Sequence, residues 1–479
     1  MGKDLLGEVY SPSDFRHQGH QLIDKLADHL EESLKGENSK VIDWKIPVEE
    51  HKFWKRFFKE GDPDDFLERM LEHTIHIHHP KYMGHQISPA APITGLSGLL
   101  SAFMNNGMGI YEMGAAPTAM ERVVTDMLCS TVGYPEGANG FLTSGGTLAN
   151  LTALLSARKN KASHDVWNEG TKTNLAVMVS EEAHYCIDRA VRIMGLGENG
   201  IIKIPTNADF SIRTDKLEEA YQQAKENGLE VFAIVGSAPA TATGIHDNLE
   251  SLARFAQENG LWFHVDAAHG GGAFFSEKYK HLLSGAAMSD SVVIDGHKMM
   301  MMPGITTALL FRDGTNSHTT FRQKADYLLE ASREEDWYNL AKRTFECTKH
   351  MMSLHWYMLL KQYGPVIFDT FVSTLYDLGH QFADLIDQHP DFELAVRPMT
   401  NILCFRYRDK NHDEEALNRI NQKIRQQILE EGTFYIVQTK LRGKHYLRTT
   451  IMNPFTTAEH FRGLLENIKQ KAEQLSPRN

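Results

Sequence analysis

Two residues set out the chemistry. Lys298 closes the run Ser289-Asp-Ser-Val-Val-Ile-Asp295-Gly-His297-Lys298. The apolar stretch 292–294 stops at Asp295-Gly296, so the lysine stands at the tip of a predicted buried strand, where open α/β sheets bind ligands. A lysine there is either a solvated surface charge or a nucleophile made by desolvation. Asp266 ends a second apolar run, Leu261-Trp-Phe-His264-Val-Asp266, and Ala267-Ala268 follows. Burying a lone carboxylate is costly, so Asp266 should face a cation or a metal. The alternative is an aspartate that caps a strand–loop junction. Asp266 and Lys298 are separated by about one helix-and-strand crossover, a spacing that lets them grip one flat molecule from both ends.

Two further features point the same way. Thr143-Ser144-Gly145-Gly146-Thr147 opens a predicted helix that contains Asn150. Paired glycines let the backbone approach a ligand, and a helix start offers free N–H groups to an anion, which makes a phosphate cradle. Gly-Gly before a helix also reads as a plain turn. No Gly-Lys-Ser/Thr follows, so this is not a nucleotide P-loop, and it is not a GxGxxG dinucleotide fingerprint. His184, in Ser180-Glu-Glu-Ala-His184-Tyr, lies just past another apolar run, where an imidazole can stack on an aromatic ring or serve the fold alone.

Phosphate cradle, acid, lysine and imidazole, each beside an inferred strand end, are the parts that pyridoxal 5'-phosphate needs. The same stretches resemble the group II pyridoxal-phosphate amino-acid decarboxylases, which include the glutamate, aromatic amino acid, histidine and 2,4-diaminobutyrate enzymes. The motifs are His79-Pro80-Lys81-Tyr82, Pro117-Thr-Ala-Met-Glu121, Thr143 to Asn150, His264-Val-Asp266-Ala-Ala268, Asp290-Ser291, His297-Lys298 and Leu447-Arg448 through Asn453. They span nearly the whole chain.

The resemblance implies fold type I: a large domain with a mainly parallel seven-stranded sheet flanked by helices, a small C-terminal α/β domain and an N-terminal helical segment. It implies that Lys298 holds the cofactor covalently and that Asp266 pairs with its ring nitrogen. His184 and Ala268 would cover the two ring faces. Gly145, Gly146, Thr147 and His297 would take the phosphate, and Thr241 would lie near the ring oxygen or Asp266. Tyr327 looks like the mobile-loop tyrosine that returns a proton after carbon dioxide leaves. Tyr82, Gln86 and Arg448 would border the substrate. A homodimer with its active site at the subunit interface is implied too. Asp295 stands where several members carry asparagine, four methionines follow Lys298 where tryptophan is common, and Lys349 replaces a frequent arginine. Ser237-Ala-Pro239-Ala240 precedes Thr241 where Gly-Thr-Thr is common.

The elements that must hold these residues follow from periodicity. Helices are predicted at 11–34, 63–73, 147–158, 183–194, 214–227 and 248–259, and a capping box, Thr118 with Glu121, is expected to start another. Strand-length apolar runs are 175–179, 231–235, 261–265, 292–294 and 307–311. Short apolar strands alternating with helices argue a mostly parallel sheet buried on both faces. Residues 86–112 carry no acidic or basic side chain before Glu112, as expected of core or a subunit interface. The polar stretch 313–339 reads as a lid. A long helical region, 340–388, leads to a lobe with strands at 392–397, 402–407, 433–438 and 446–451 and helices at 414–431 and 457–473. The expected division is 1–90 as a helical dimerisation segment, 91–369 as the cofactor domain and 370–479 as the small domain.

Composition narrows the partners. The 479 residues carry a formal net charge of −12 with no basic stripe, which argues against nucleic acid and anionic membrane. No apolar segment nears the ~18 residues of a spanning helix, and no charged-then-apolar leader is apparent. The four cysteines show no CxxC spacing and read as reduced thiols of a cytoplasmic protein. The histidines at 73, 76, 78, 79 and 85 fit no standard zinc pattern, and no metal is expected. The substrate is then a small L-amino acid, and polar groups near residues 79–86 favour 2,4-diaminobutyrate or glutamate over an aromatic one. The rival enzymes are a pyridoxal-dependent transaminase or carbon–carbon lyase. Outside enzymes, the rival is a cofactor-free binding protein on the same fold.

Overall fold

The computed structural model describes residues 2–36, 40–321 and 337–475. They form two compact units: one gathers Met1–His85, Asp384–Ala395 and Phe405–Asn479, and the other Gln86–Ala383 with Val396–Cys404.

The larger unit is built on seven strands: β1 (Asn139–Thr143), β2 (Asn174–Ser180), β3 (Ile201–Ile204), β4 (Leu229–Ser237), β5 (Trp262–Asp266), β6 (Ser291–Asp295) and β7 (Thr307–Phe311). Their order is β1-β7-β6-β5-β4-β2-β3. The pairs from β3 to β6 are parallel, and β7 runs antiparallel to both β1 and β6. Every residue of β1, β5, β6 and β7 is buried, as a sheet covered on both faces requires. The helix Gly146–Lys161 lies against it through Ala149, Asn150, Ala153 and Ala157, whose small side chains allow close approach. Phe141, Val177, Phe232, Trp262, Val293 and Phe311 fill the core on that side.

The five strands expected in this region are present, and two more appear. β1 begins Asn-Gly, which reads as a turn in isolation. Here Gly140 is required for pairing, because a Cβ would come within 2.6 Å of the Leu309 carbonyl oxygen on β7. β3 is a four-residue edge strand with Lys203 exposed, too short to show a pattern.

The capping box is not formed. The helix runs Ala115–Val132, starting one turn early from Gly114. Glu121 instead accepts the Leu142 backbone N–H at 2.9 Å. The long helical region is broken as well. Helices occupy Ser353–Tyr363 and Val366–Asp387, separated by Gly364 in the left-handed region and Pro365. Of the polar stretch 313–339, the described part contains a short helix, Thr315–Thr319.

A second sheet consists of β8 (Phe392–Leu394), β9 (Ile402–Tyr407), β10 (Val437–Leu441) and β11 (Lys444–Thr450), in the order β10-β11-β9-β8. β8 pairs antiparallel with β9 and β10 with β11, and β10 begins later than the pattern suggested. Helices Glu414–Glu431 and Ala458–Leu475 accompany it. The first long helix, Pro12–Lys35, is capped by Ser11 and buries only Ser33, leaving its apolar residues largely open. Among the described residues no helix is long and apolar enough to cross a membrane.

Candidate active site

The site forms at the carboxyl ends of β4, β5 and β6. Asp266 ends β5 and lies in register with Ser237 of β4 and Val293 of β6. His264, two residues earlier, faces the same side of the strand. Both reach Asn150 on the Gly146–Lys161 helix: His264 Nε2 lies 2.8 Å from Asn150 Oδ1, and Asn150 Nδ2 lies 3.3 Å from Asp266 Oδ2.

Donors and acceptors in this chain can be assigned. Asn150 Nδ2 also lies 2.8 Å from the Gly146 carbonyl, so the amide nitrogen must face two acceptors and Oδ1 must accept. His264 Nε2 therefore donates. Burial pushes its imidazole down to about 3, so the ring is neutral and Nδ1 accepts from Ser291 Oγ at 2.8 Å. Ser291 Oγ in turn accepts from Trp262 Nε1 at 2.9 Å, and an indole can only donate. The whole row points its hydrogens toward Asp266, as an ionised carboxylate needs. Asp266 Oδ1 takes a further N–H from Ala268 at 3.2 Å. Burial pushes the Asp266 carboxyl up, opposed first by the charge of Lys298 and then by His184.

Lys298 sits in the short turn Gly296–Met299 beyond β6. Its Nζ lies 3.0 Å from Asp295 Oδ2, and its side chain keeps 19% exposure where that of Asp295 keeps 2%. Burial works against the ammonium, but the carboxylates of Asp295 and Asp266 outweigh it and hold Lys298 above the ordinary lysine range. Asp295 Oδ1 accepts from Thr307 Oγ1 at 2.5 Å. His297 Nδ1 donates to the Thr306 carbonyl at 3.2 Å, with its Nε2 at 3.7 Å from Asp295. Burial lowers the pKa of His297.

The cradle lies across from this turn. Gly145 holds φ at +101°, a conformation that other residues rarely adopt. A Cβ on Gly146 would stand 3.0 Å from both Asp295 oxygens. Ser144 N and Oγ and Thr143 Oγ1 donate to Glu346 at 3.2, 2.8 and 2.9 Å. Beneath them, Lys349 Nζ meets Glu121 Oε1 and the Leu142 carbonyl, each at 2.5 Å, and so anchors the strand that leads into the cradle.

The other expected residues fall as follows. His184 caps the helix Tyr185–Ile193 and accepts the Cys186 N–H through Nδ1 at 3.4 Å, which fixes the ring. Burial lowers the pKa of His184, while Asp266 acts to raise it. Ala268 is buried beside the same core. The Thr241 carbonyl accepts from Gln86 Nε2 at 3.3 Å. Tyr82 and Arg448 belong to the smaller unit. There Tyr82 stacks on Tyr435 with ring centroids 5.5 Å apart and donates to the His85 carbonyl at 3.2 Å. Burial lowers the His85 pKa, and the charges of Arg448 and Arg425 add to that. Tyr327 lies outside the described residues.

Sequence reasoning missed Tyr435, Glu346 and Thr307 as partners. The one available signal concerned His264: an i, i+2 spacing to Asp266 puts both on one strand face.

A buried acid, a lysine beside it on the neighbouring strand tip and a glycine cradle that a single methyl would crowd form a set that fits pyridoxal 5'-phosphate. Residues 57–408 match the family model described as the pyridoxal-dependent decarboxylase conserved domain. The chain is 30% identical to an aspartate 1-decarboxylase of Aliivibrio fischeri, over 85% of this chain and 81% of that one. It is 27% identical to an aromatic-L-amino-acid decarboxylase of Bacillus atrophaeus, over 97% of each. A crystal structure from Vibrio parahaemolyticus, the glutamate decarboxylase domain of a diaminobutyrate-pyruvate transaminase and L-2,4-diaminobutyrate decarboxylase, superposes with a TM-score of 0.82 at 26% identity, covering 94% and 96% of the two chains. The fold is therefore fold type I of the pyridoxal-phosphate enzymes. The chain belongs to the pyridoxal-dependent decarboxylase family, and it is a pyridoxal-phosphate-dependent amino-acid decarboxylase.

Proposed function

We propose that the chain removes the α-carboxyl group of an L-amino acid with a polar side chain, 2,4-diaminobutyrate or glutamate ahead of an aromatic one. The observation that supports the residue assignments is that Asp266 ends β5 and Lys298 stands just beyond the end of its parallel neighbour β6. The cofactor supplies an electron-poor ring that accepts the electron pair left when carbon dioxide departs. In this reading Lys298 would be the residue that holds the cofactor covalently. Asp266, which accepts from Asn150 and Ala268, would pair with the ring nitrogen and favour its protonated form. His184, fixed by the Cys186 N–H, and Ala268 hold the ring between them. Gly145, Gly146, Thr147 and His297 take the phosphate, Thr241 attends the ring oxygen, and Tyr327 returns the proton to the α-carbon. Gln86, Tyr82 and Arg448 are assigned to the substrate from their sequence motifs.

We place the enzyme in the cytoplasm as a homodimer. In support, all four cysteines are free thiols. The helix Pro92–Met104 presents Leu96, Leu99, Leu100 and Phe103 to solvent, a patch of the kind that a second copy would cover. The family's active site at the subunit interface goes with this reading.

The test is a screen of the twenty amino acids and 2,4-diaminobutyrate for carbon dioxide release, with keto-acid formation measured alongside. Release from an amino acid with a polar side chain is expected. Preference for an aromatic substrate would overturn the substrate assignment.

A further inference from the structure

The carboxylate of Asp295 faces two things at once. Oδ2 lies 3.0 Å from Lys298 Nζ, and Oδ1 accepts from Thr307 Oγ1 at 2.5 Å. Both oxygens also lie 3.0 Å from where Gly146 would carry a Cβ, so the carboxylate looks straight at the first turn of the cradle helix. A buried acid is an odd neighbour for a site that must receive a phosphate.

We propose that Asp295 is a positioning residue for Lys298 and that it makes capture of the phosphorylated cofactor a proton-consuming event. This rests on the reading that the Gly145–Thr147 cradle takes the phosphate. In the cofactor-free protein burial works against the charge of Asp295, but Lys298 and His297 outweigh it and hold the carboxyl below its ordinary range. The ion pair in turn holds Lys298 as an ammonium aimed into the site. A phosphate monoester loses its second proton near pH 6, so at pH 8 it arrives as a dianion. Two anions cannot both stay fully ionised in one buried corner, so Asp295 and the phosphate hold one proton between them.

The other titratable groups that feel Asp295 are Asp266 on β5, His184 and Cys186 at the start of the Tyr185–Ile193 helix, and His297 and Lys298 in its own turn. A proton taken up by His297 or His184 would be common to wild type and Asp295→Asn, so the difference between the two proteins reports Asp295 itself. Lys298 starts as an ammonium. It forms a protonated carbon–nitrogen double bond to the aldehyde carbon as the aldehyde oxygen leaves in one water molecule. Charge is unchanged by that step, so the extra proton comes from solvent.

The experiment is isothermal titration of the cofactor-free enzyme with pyridoxal 5'-phosphate at pH 8, in two buffers of different ionisation enthalpy. Wild type should take up about one proton per site more than Asp295→Asn, and its affinity should weaken with rising pH about tenfold per unit more steeply. Equal proton counts in the two proteins overturn the proposal. Should Asp295→Asn fail to fold, wild type titrated with unphosphorylated pyridoxal serves instead. Wild type should take up about one proton more with the phosphorylated form, and equal uptake with both overturns the proposal. Failure of the underlying reading looks different: Gly146→Ala would then bind pyridoxal 5'-phosphate as tightly as wild type.

Discussion

The side-chain amide of Asn150 donates to Asp266 Oδ2 at 3.3 Å and to the Gly146 carbonyl at 2.8 Å, tying the acid of one strand tip to the first turn of the cradle helix. One amide thus links the end of β5 to the start of the Gly146–Lys161 helix. It also ends the row of donors that begins at Trp262.

Replacing Asn150 with leucine strands His264 Nε2 and Asp266 Oδ2 in the interior. Each unsatisfied group costs about 1–3 kcal/mol, which a urea titration would read as a lowered midpoint. Losing a donor to the charged form raises the Asp266 pKa further. On acidification the variant's cofactor absorbance should then disappear at a higher pH than that of wild type. Superimposable pH profiles would remove Asn150 from the site's electrostatics.

His264 predicts a pH slope. Its folded pKa is about 3 against 6.5 unfolded, so the unfolded chain binds the proton first. Its contribution is intact above pH 6.5 and is lost as pH falls from there toward 3, at up to about 1.4 kcal/mol per unit. His246, pushed down to about 3 by burial, behaves alike. Asp247, pushed up to about 6 by burial, has the opposite sign: its contribution is intact below 3.8 and is lost as pH rises through 6. In His264→Gln the His264 term is gone. Between pH 6 and 4.5 the variant should recover roughly 2 kcal/mol relative to wild type in paired denaturation curves. A constant difference across that range would mean that His264 titrates normally in the fold.

The Glu121–Lys349 pair predicts a different asymmetry. Both side chains are buried, and the pair joins the Ala115–Val132 helix to the strand entering the cradle. Burial lowers the Lys349 pKa, with Glu121 acting to raise it. Lys349→Met leaves the buried Glu121 with the Leu142 N–H but without its cation, a loss of about 3–5 kcal/mol. Adding Glu121→Leu to it should return much of that stability, because the pair then goes as a unit. Additive losses in the double variant would refute the coupling.

The parts legible in the sequence were those with a local signature. Apolar runs of strand length gave β2, β4, β5, β6 and β7, and the ends of two of them placed Asp266 and Lys298. β1 was hidden because its Asn-Gly start favours a turn, and only Leu309 across the sheet explains why a glycine is needed there. The capping box at Thr118 and Glu121 misled for a related reason: the partner that claims Glu121 is Lys349, more than two hundred residues away. Glu346 on the cradle and Tyr435 on Tyr82 were invisible on the same ground, since neither lies near its partner in sequence.

Gly146→Ala tests the cradle with little risk to the fold. The added methyl meets both Asp295 oxygens at 3.0 Å, so the helix start must shift by a few tenths of an ångström from the turn carrying Lys298. Affinity for pyridoxal 5'-phosphate should fall at least about tenfold, roughly 1.4 kcal/mol, with the unfolding midpoint nearly kept. Unchanged affinity would put the phosphate elsewhere.

Lys298→Ala separates attachment from binding. Turnover and the visible absorbance of the lysine-bound cofactor should both vanish, while the cradle and Asp266 still hold the ring noncovalently. The substitution also strips Asp295 of the charge that offsets its burial, so its carboxyl rises. A group whose folded pKa is raised contributes stability below its unfolded value and loses it as pH climbs. The cofactor-free variant should therefore lose stability between about pH 4 and neutrality, relative to wild type, in which the ion pair is intact. Absorbance and carbon dioxide release that survive the substitution would move the attachment point to another lysine.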